Sequence, residues 1–287
     1  MIGLKYYRRV EYERIDNISL TMDLYIPESE KALPVIVWFH EGGMVDRKGY
    51  AFGPPMMELV TRGYAIVQAT YRVAGDMKLC SDPIDVQWPV MLQDAKTVIR
   101  YLRYKADEYG IDPERIGVAG DSAGGQLSAM MAVTQGNPLF ESELYSNYSD
   151  KICCAVDFYG PSEFLTMDEH ANMSPVKNPL LIHDSPESPE SRCIGGPIQE
   201  NQEKAKAAST VTYVSKDGNK EVPLLIFHGD HDPNVPFQQS VVLYNKMREC
   251  GYDVEFYPQA GHGHNLNFFE DIKDIVFAFF DKHVKGN

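Results

Sequence analysis

Ser122 stands in the run Gly120-Asp121-Ser122-Ala123-Gly124-Gly125, between a short apolar stretch, IGVA, and a helix-like stretch, QLSAMMAV. A serine hydroxyl is a poor nucleophile unless it meets a base and an electrophile together, and a sharp strand-to-helix turn presents it to both. Such a turn crowds the backbone, which explains the flanking Gly120 and Gly124; the pattern is that of a nucleophile elbow. A helix starting after the serine also aims unpaired N–H groups at the reacting centre, making the Ala123 N–H a first donor to an oxyanion. Small residues in a row also make ordinary tight turns, so the motif draws its weight from its place between strand and helix.

His40-Glu41-Gly42-Gly43 directly follows the apolar run PVIVWF. Glycine lets backbone approach a carbonyl oxygen closely, so the N–H groups of Gly42 and Gly43 can complete an oxyanion hole with Ala123. A third segment, His228-Gly229-Asp230-His231-Asp232-Pro233-Asn234-Val235-Pro236, follows PLLIF. An acid that orients a histidine belongs on a loop at the carboxyl end of a sheet strand. Asp232 is the first choice; Asp230 competes, although a loop Asp commonly bonds within its own turn. A fourth segment is Ala260-Gly261-His262-Gly263-His264. His262, between glycines, is free to swing its ring toward Ser122, and His264 is the second candidate for the base. The order Ser122, Asp232, His262 is that of nucleophile, acid and base along an α/β-hydrolase chain.

These loops need a sheet to bring them together. Strand-like runs at Pro34–Phe39, Tyr64–Ala69, Ile116–Ala119, Ile152–Phe158, Val222–Phe227 and Val254–Tyr257 alternate with helix-like runs at Pro55–Arg62, Trp88–Tyr109, Ser122–Thr134, Gln238–Cys250 and Phe268–Val284. That alternation predicts an α/β fold, a mostly parallel sheet with helices on both faces. Lys5–Glu13 and Ser19–Ile26 predict an antiparallel N-terminal hairpin. The rhythm breaks from Gly160 to Ser209, rich in Pro, Ser, Asn and Glu; it is expected to be mostly loop, ending in a short helix near Gln199–Ala208. It has too few regularly spaced apolar residues for a core of its own, so residues 1–287 read as a single domain with a short, loop-rich cap at about 160–209.

Composition excludes several classes of function. The formal net charge of -14, from 27 basic and 41 acidic residues, disfavours nucleic acid and anionic membranes as partners. No apolar run approaches the ~20 residues of a membrane span, and the N-terminus lacks the apolar core of a signal peptide, which reads as cytoplasmic. The 5 cysteines lack regular spacing and read as reduced thiols. No metal site and no cofactor is expected.

The chain resembles α/β-hydrolase esterases of the hormone-sensitive-lipase type and, more closely, the small bacterial acetyl and feruloyl esterases that act on plant cell-wall polysaccharides. The resemblance spans Leu24 to His283 and runs through the GDSAGG elbow, YGIDPERIGVAG before it, HGDHDPNVPFQQS and AGHGH. It implies a serine carboxylesterase acting on short-chain (acetyl) or feruloyl esters, with a small-molecule or oligosaccharide ester as substrate; oligomeric state is left open. The chain departs from the family's usual His-Gly-Gly-Gly at Glu41, where a carboxylate is expected to disfavour anionic substrates or to tune the site. The polar, Pro-rich cap lacks the amphipathic helix of a lipase lid, which disfavours long-chain lipids. Trp88, Tyr159 and Phe164 sit near loop ends, where they could line a pocket or simply pack. An arylformamidase or peptidase would use the same triad, though there is no room for the large extra domain of a prolyl oligopeptidase. A metallohydrolase built on the His and Asp cluster would leave the serine elbow unexplained, and a non-catalytic relative would commonly lack a triad residue.

Overall fold

The computed structural model describes residues 3–47, 49–50, 55–79, 81–82, 86–178 and 181–286. Its centre is an 8-stranded sheet in the order β1-β2-β4-β3-β5-β6-β7-β8. The strands are β1 (Leu4–Ile15), β2 (Ile18–Pro27), β3 (Leu33–Phe39), β4 (Ala65–Ala69), β5 (Ile111–Asp121), β6 (Ala155–Phe158), β7 (Leu224–Gly229) and β8 (Val254–Gln259). β1 and β2 form the expected antiparallel hairpin, β2 joins β4 antiparallel, and the remaining neighbours pair parallel. The helices are α1 (Val90–Tyr104), α2 (Ala106–Tyr109), α3 (Ala123–Val133), α4 (Met167–Met173), α5 (Pro189–Ile194), α6 (Gln202–Ala208), α7 (Gln238–Glu249) and α8 (Phe269–Phe280). This is the α/β-hydrolase fold.

Side-chain alternation along the strands divides the core between the two faces of the sheet. Val35, Val37 and Phe39 of β3 pack on the face covered by α1, α3 and α7. Ile36 and Trp38 pack on the other, under α8 and a 3-10 turn at Met57–Arg62. The parallel strands are apolar on both faces because both are covered.

Element boundaries differ from expectation where backbone geometry intervenes. The run expected to be helical from Pro55 is a 3-10 turn, Met57–Arg62, closed by Gly63 in the left-handed region (φ 81). Trp88–Tyr109 divides into α1 and α2 at Lys105, whose φ of -103 and ψ of 14 bend the helix. The segment 160–209 is more ordered than a loop. Ser188 accepts a hydrogen bond from the Ser191 N–H and Pro189 opens α5, an N-cap signal present in the sequence. Phe164, Ile194, Ile198, Ala205 and Ala208 bury a small cluster of their own, because α5, α6 and a turn at Phe164–Thr166 fold over one another. Pro179, within the Pro-rich stretch, lies outside the described residues. Cys153, Cys154, Cys193 and Cys250 are free thiols, and Cys80 lies outside the described residues. Among the described residues, no helix is long and apolar enough to cross a membrane.

Candidate active site

The sheet order sets the ends of β3, β5, β7 and β8 along one edge, so the four loops singled out above meet there. β5 runs into α3 through Ser122, which has φ 53 and ψ -116, a conformation that is costly for a residue with a side chain. The Ser122 N–H donates to Phe158 O at 2.8 Å, and Ser122 O accepts from Gln126 N at 3.0 Å, which locks the turn from both sides. A Cβ on Gly124 would lie 2.0 Å from Phe39 O, and one on Gly120 would lie 2.5 Å from the Gly124 carbonyl carbon. Both glycines are therefore required by close approach of backbone, not merely by turn preference.

Asp232 lies in the turn after β7. Its Oδ1 accepts the N–H groups of Asn234 and Val235 at 2.8 and 2.9 Å, leaving Oδ2 to accept from His264 Nδ1 at 2.7 Å. His264 Nε2 lies 3.0 Å from Ser122 Oγ. Burial alone would raise the Asp232 pKa, but hydrogen bonds from His228 and His264 outweigh it and hold the carboxyl well below the usual range. His228 is itself fixed: its Nε2–H is shared between Val235 O at 2.9 Å and Asp232 Oδ2 at 3.3 Å, so Nδ1 is left to accept from Ser240 Oγ at 2.7 Å. Burial disfavours a charged His264, but Asp232, Asp121 and Glu41 together raise its pKa.

The histidine at Ser122 is His264 and not His262. The loop after β8 closes on itself at His262, whose N–H donates to Gln259 O (3.3 Å) and whose carbonyl accepts from His231 N (3.0 Å). That carbonyl packs so tightly on β7 that a Cβ on Gly229 would lie 2.1 Å from it. The His262 ring meets Phe268, 5.4 Å between centroids, leaving the histidine after Gly263 to reach the serine. Asp230 stays outside the site, its Oδ1 accepting from the Gly261 N–H (2.7 Å) and pairing with His231 Nδ1 (2.6 Å).

Gly42 (φ 125), Gly43 (φ 58) and Ala123 line a cavity of about 450 Å³ together with Ser122 and His264. Gly42 O is engaged by the N–H groups of Val45 and Asp46, which curls the loop. Beneath it, His40 stacks on Tyr71 with 4.5 Å between centroids, and Tyr71 Oη donates to His40 O at 2.8 Å. Burial pushes the His40 pKa down to about 4, so its ring is a neutral support. Phe164 lines the same cavity and Tyr159 packs its ring 4.6 Å from His264. Trp88 lies in a separate groove with Phe140 and Tyr213. Glu190 and Cys193 of α5 also line the cavity at Ser122, which sequence patterning did not reveal because only the folding of the segment 160–209 carries them there. Among the described residues, no group of three or more His, Cys, Asp or Glu is placed to hold a metal ion.

The chain is similar to several known proteins. The BD-FAE family model matches residues 22–247. A probable carboxylic ester hydrolase, LipM of Mycobacterium tuberculosis, is 29% identical over 214 residues, 75% of this chain and 44% of that protein. Esterase LipC of the same organism is 27% identical over 278 residues, 92% of this chain and 62% of that protein. The chain thus spans about half the length of the curated relatives it matches. Among solved structures, a truncated form of a carbohydrate esterase from gut microbiota superposes with a TM-score of 0.79 at 27% identity, covering 98% of this chain and 96% of that one. An esterase of Thermogutta terrifontis (TM-score 0.70, 24% identity, 97% of this chain and 93% of that one) shares the fold. With an α/β-hydrolase sheet, a strained serine between β5 and α3, and a family match over most of its length, this chain belongs to the BD-FAE family.

Proposed function

We propose that this protein is a serine carboxylic ester hydrolase that cleaves short-chain (acetyl) or feruloyl esters, with a saccharide as the alcohol, through an acyl-enzyme on Ser122. The observation that carries the reading is the hydrogen-bond chain from Asp232 through His264 to Ser122, at 2.7 and 3.0 Å, on the wall of the cavity. The esterase relatives and the carbohydrate esterase fold match support it. The chain acts as one domain, with the segment 160–209 as its cap, and needs no cofactor.

In this mechanism His264 Nε2 takes the Ser122 proton as Oγ attacks the ester carbonyl carbon. Asp232 Oδ2 holds the ring in the tautomer with hydrogen on Nδ1 and stabilises the imidazolium that forms. The carbonyl oxygen becomes an oxyanion, held by the N–H groups of Gly42, Gly43 and Ala123. Collapse breaks the ester C–O bond, and the alcohol leaves with the proton from His264. Water, deprotonated by His264, then attacks the acyl group and returns the proton to Ser122, releasing the acid.

The test is a panel of acetyl, butyryl, octanoyl and feruloyl esters, with acetylated xylo-oligosaccharides, run on the parent and on Ser122→Ala, His264→Ala and His262→Ala. Ser122→Ala and His264→Ala are expected to lose about 10⁴-fold or more in kcat, as removal of a triad member typically does. His262→Ala is expected to stay close to the parent. Activity retained in Ser122→Ala, or lost in His262→Ala and kept in His264→Ala, overturns the assignment.

A further inference from the structure

The ester chemistry leaves one buried carboxylate of the cavity without a task. Glu190 lies in the first turn of α5, its side chain only 8% exposed, and lines the cavity together with Gly43, Pro189 and Cys193. Its Oε2 is shut off from solvent. His183 Nδ1 is 3.2 Å from it, and this buried pair fixes the carboxyl where Glu190 lines the cavity. A carboxylate withdrawn from water this far is costly unless donors reach it.

The surroundings hold that carboxylate in place. The His183 N–H donates to Asp168 Oδ1 at 2.8 Å, and Ser188 Oγ donates to His183 O at 2.5 Å. Burial disfavours a charged His183, but Glu190 and Asp168 outweigh it and raise its pKa. Ser188 in turn caps α5, accepting from the Ser191 N–H at 3.0 Å. The remaining polar lining is rich in acceptors. Glu41 and Asp46 are carboxylates, and none of the described lining residues is Lys or Arg. Two of the lining amides already spend a donor elsewhere: Asn178 Nδ2 donates to Asn234 Oδ1 at 3.1 Å, and Gln126 Nε2 donates to Ala208 O at 2.7 Å. Such a cavity favours a ligand that brings donors and no negative charge, and a carboxylate can accept from neighbouring hydroxyls of one ring.

We infer that Glu190, positioned by His183, forms a subsite in the cap wall that binds the hydroxyl groups of a neutral pyranose, the alcohol portion of the substrate. The inference deepens the ester-hydrolase reading and rests on it for the bond cleaved, but binding of the unesterified sugar can be measured without it.

The experiment compares the parent with Glu190→Gln in two ways. The first is kcat/KM on a monoacetylated methyl β-xylopyranoside, on p-nitrophenyl acetate and on acetylcholine. The second is calorimetric titration with unesterified methyl β-xylopyranoside. In Glu190→Gln the ratio of kcat/KM for the xyloside ester over p-nitrophenyl acetate is expected to fall about tenfold, mainly through KM, and the free xyloside to bind about tenfold more weakly. If Glu190→Gln does not fold, Glu190→Asp, which withdraws the carboxylate by one methylene, is read in its place with the same expected direction. An unchanged ratio with unchanged xyloside binding overturns the subsite, as does a parent that prefers acetylcholine, which would make the carboxylates a cation site. If the xyloside fails to bind while esters are cleaved, the subsite falls and the hydrolase reading stands. If no ester is cleaved but the xyloside binds in a Glu190-dependent way, the hydrolase reading falls and the subsite stands.

Discussion

His264 sits among carboxylates on more than one side: Asp232 accepts from its Nδ1, while Asp121 and Glu41 act on it through space. Burial pushes the Asp121 pKa up to about 7, with Glu41 adding to the rise and His264 opposing it. A proton acceptor must be neutral, so kcat/KM is expected to fall as the pH drops through the raised pKa of His264. Asp121→Asn removes a negative charge that favours the imidazolium, so the acid limb of the profile is expected to move to lower pH. A pH–rate profile on an uncharged ester checks this, and an unmoved limb would show that Asp121 does not couple to His264. At this scale Ser122 could be chosen from sequence by its place after a strand, and the acid narrowed to Asp232 ahead of Asp230 on the loop after another. The base could not, since Gly-His-Gly-His offers two rings with equal freedom, and only the closure of the loop through the His262 carbonyl selects between them.

Two elements, β5 and α3, make the elbow, and their contact with β3 is as demanding as the serine itself. A Cβ at Gly124 would meet the oxygen and carbon of Phe39 at 2.0 and 2.6 Å, and both are backbone atoms that cannot rotate away. Gly124→Ala is therefore expected to be destabilising by about 3 kcal/mol or more, lowering Tm by roughly 6 °C or more. Thermal unfolding followed by circular dichroism measures it; a Tm within error of the parent would mean that α3 can move off β3. The elbow was legible because glycine on both sides of a serine between a strand and a helix has few other uses. The short strand-like and helix-like runs carried element type but not their ends. Boundaries such as the break at Lys105 and the short β6 depend on local dihedrals and on pairing with neighbours.

The described residues bury the two-faced core of the sheet and a smaller cluster within the segment 160–209, the proposed cap. Polar side chains join them: Gln126 of α3 donates to Ala208 O at 2.7 Å, and Gln239 of α7 accepts from the N–H groups of Ser162 and Glu163 at 2.8 and 2.7 Å. Ile198 lies buried in the cap cluster with Phe164, Ile194, Ala205 and Ala208, separate from both faces of the sheet. Truncating it to Ala is expected to cost about 2–4 kcal/mol, concentrated in the cap. Hydrogen exchange should then accelerate for amides in 160–209 while β3 and β5 keep their protection, and KM should rise because the cap carries part of the cavity wall. Equal acceleration in the sheet would show that the cap and core unfold as one unit.

Periodicity and turn chemistry act over a few residues, and that range is enough to specify a parallel sheet flanked by helices, a serine at the end of one strand, an acid after another and a glycine pair after a third. What the local pattern does not contain is distance between loops. The histidine that meets Ser122, the exclusion of Asp230, and the arrival of Glu190 in the cavity from a Pro-rich segment all follow from how loops close over the edge of the sheet. Those outcomes are set by contacts between residues far apart in the chain, such as His231 with His262 and Gly124 with Phe39, which exist only once the sheet has assembled.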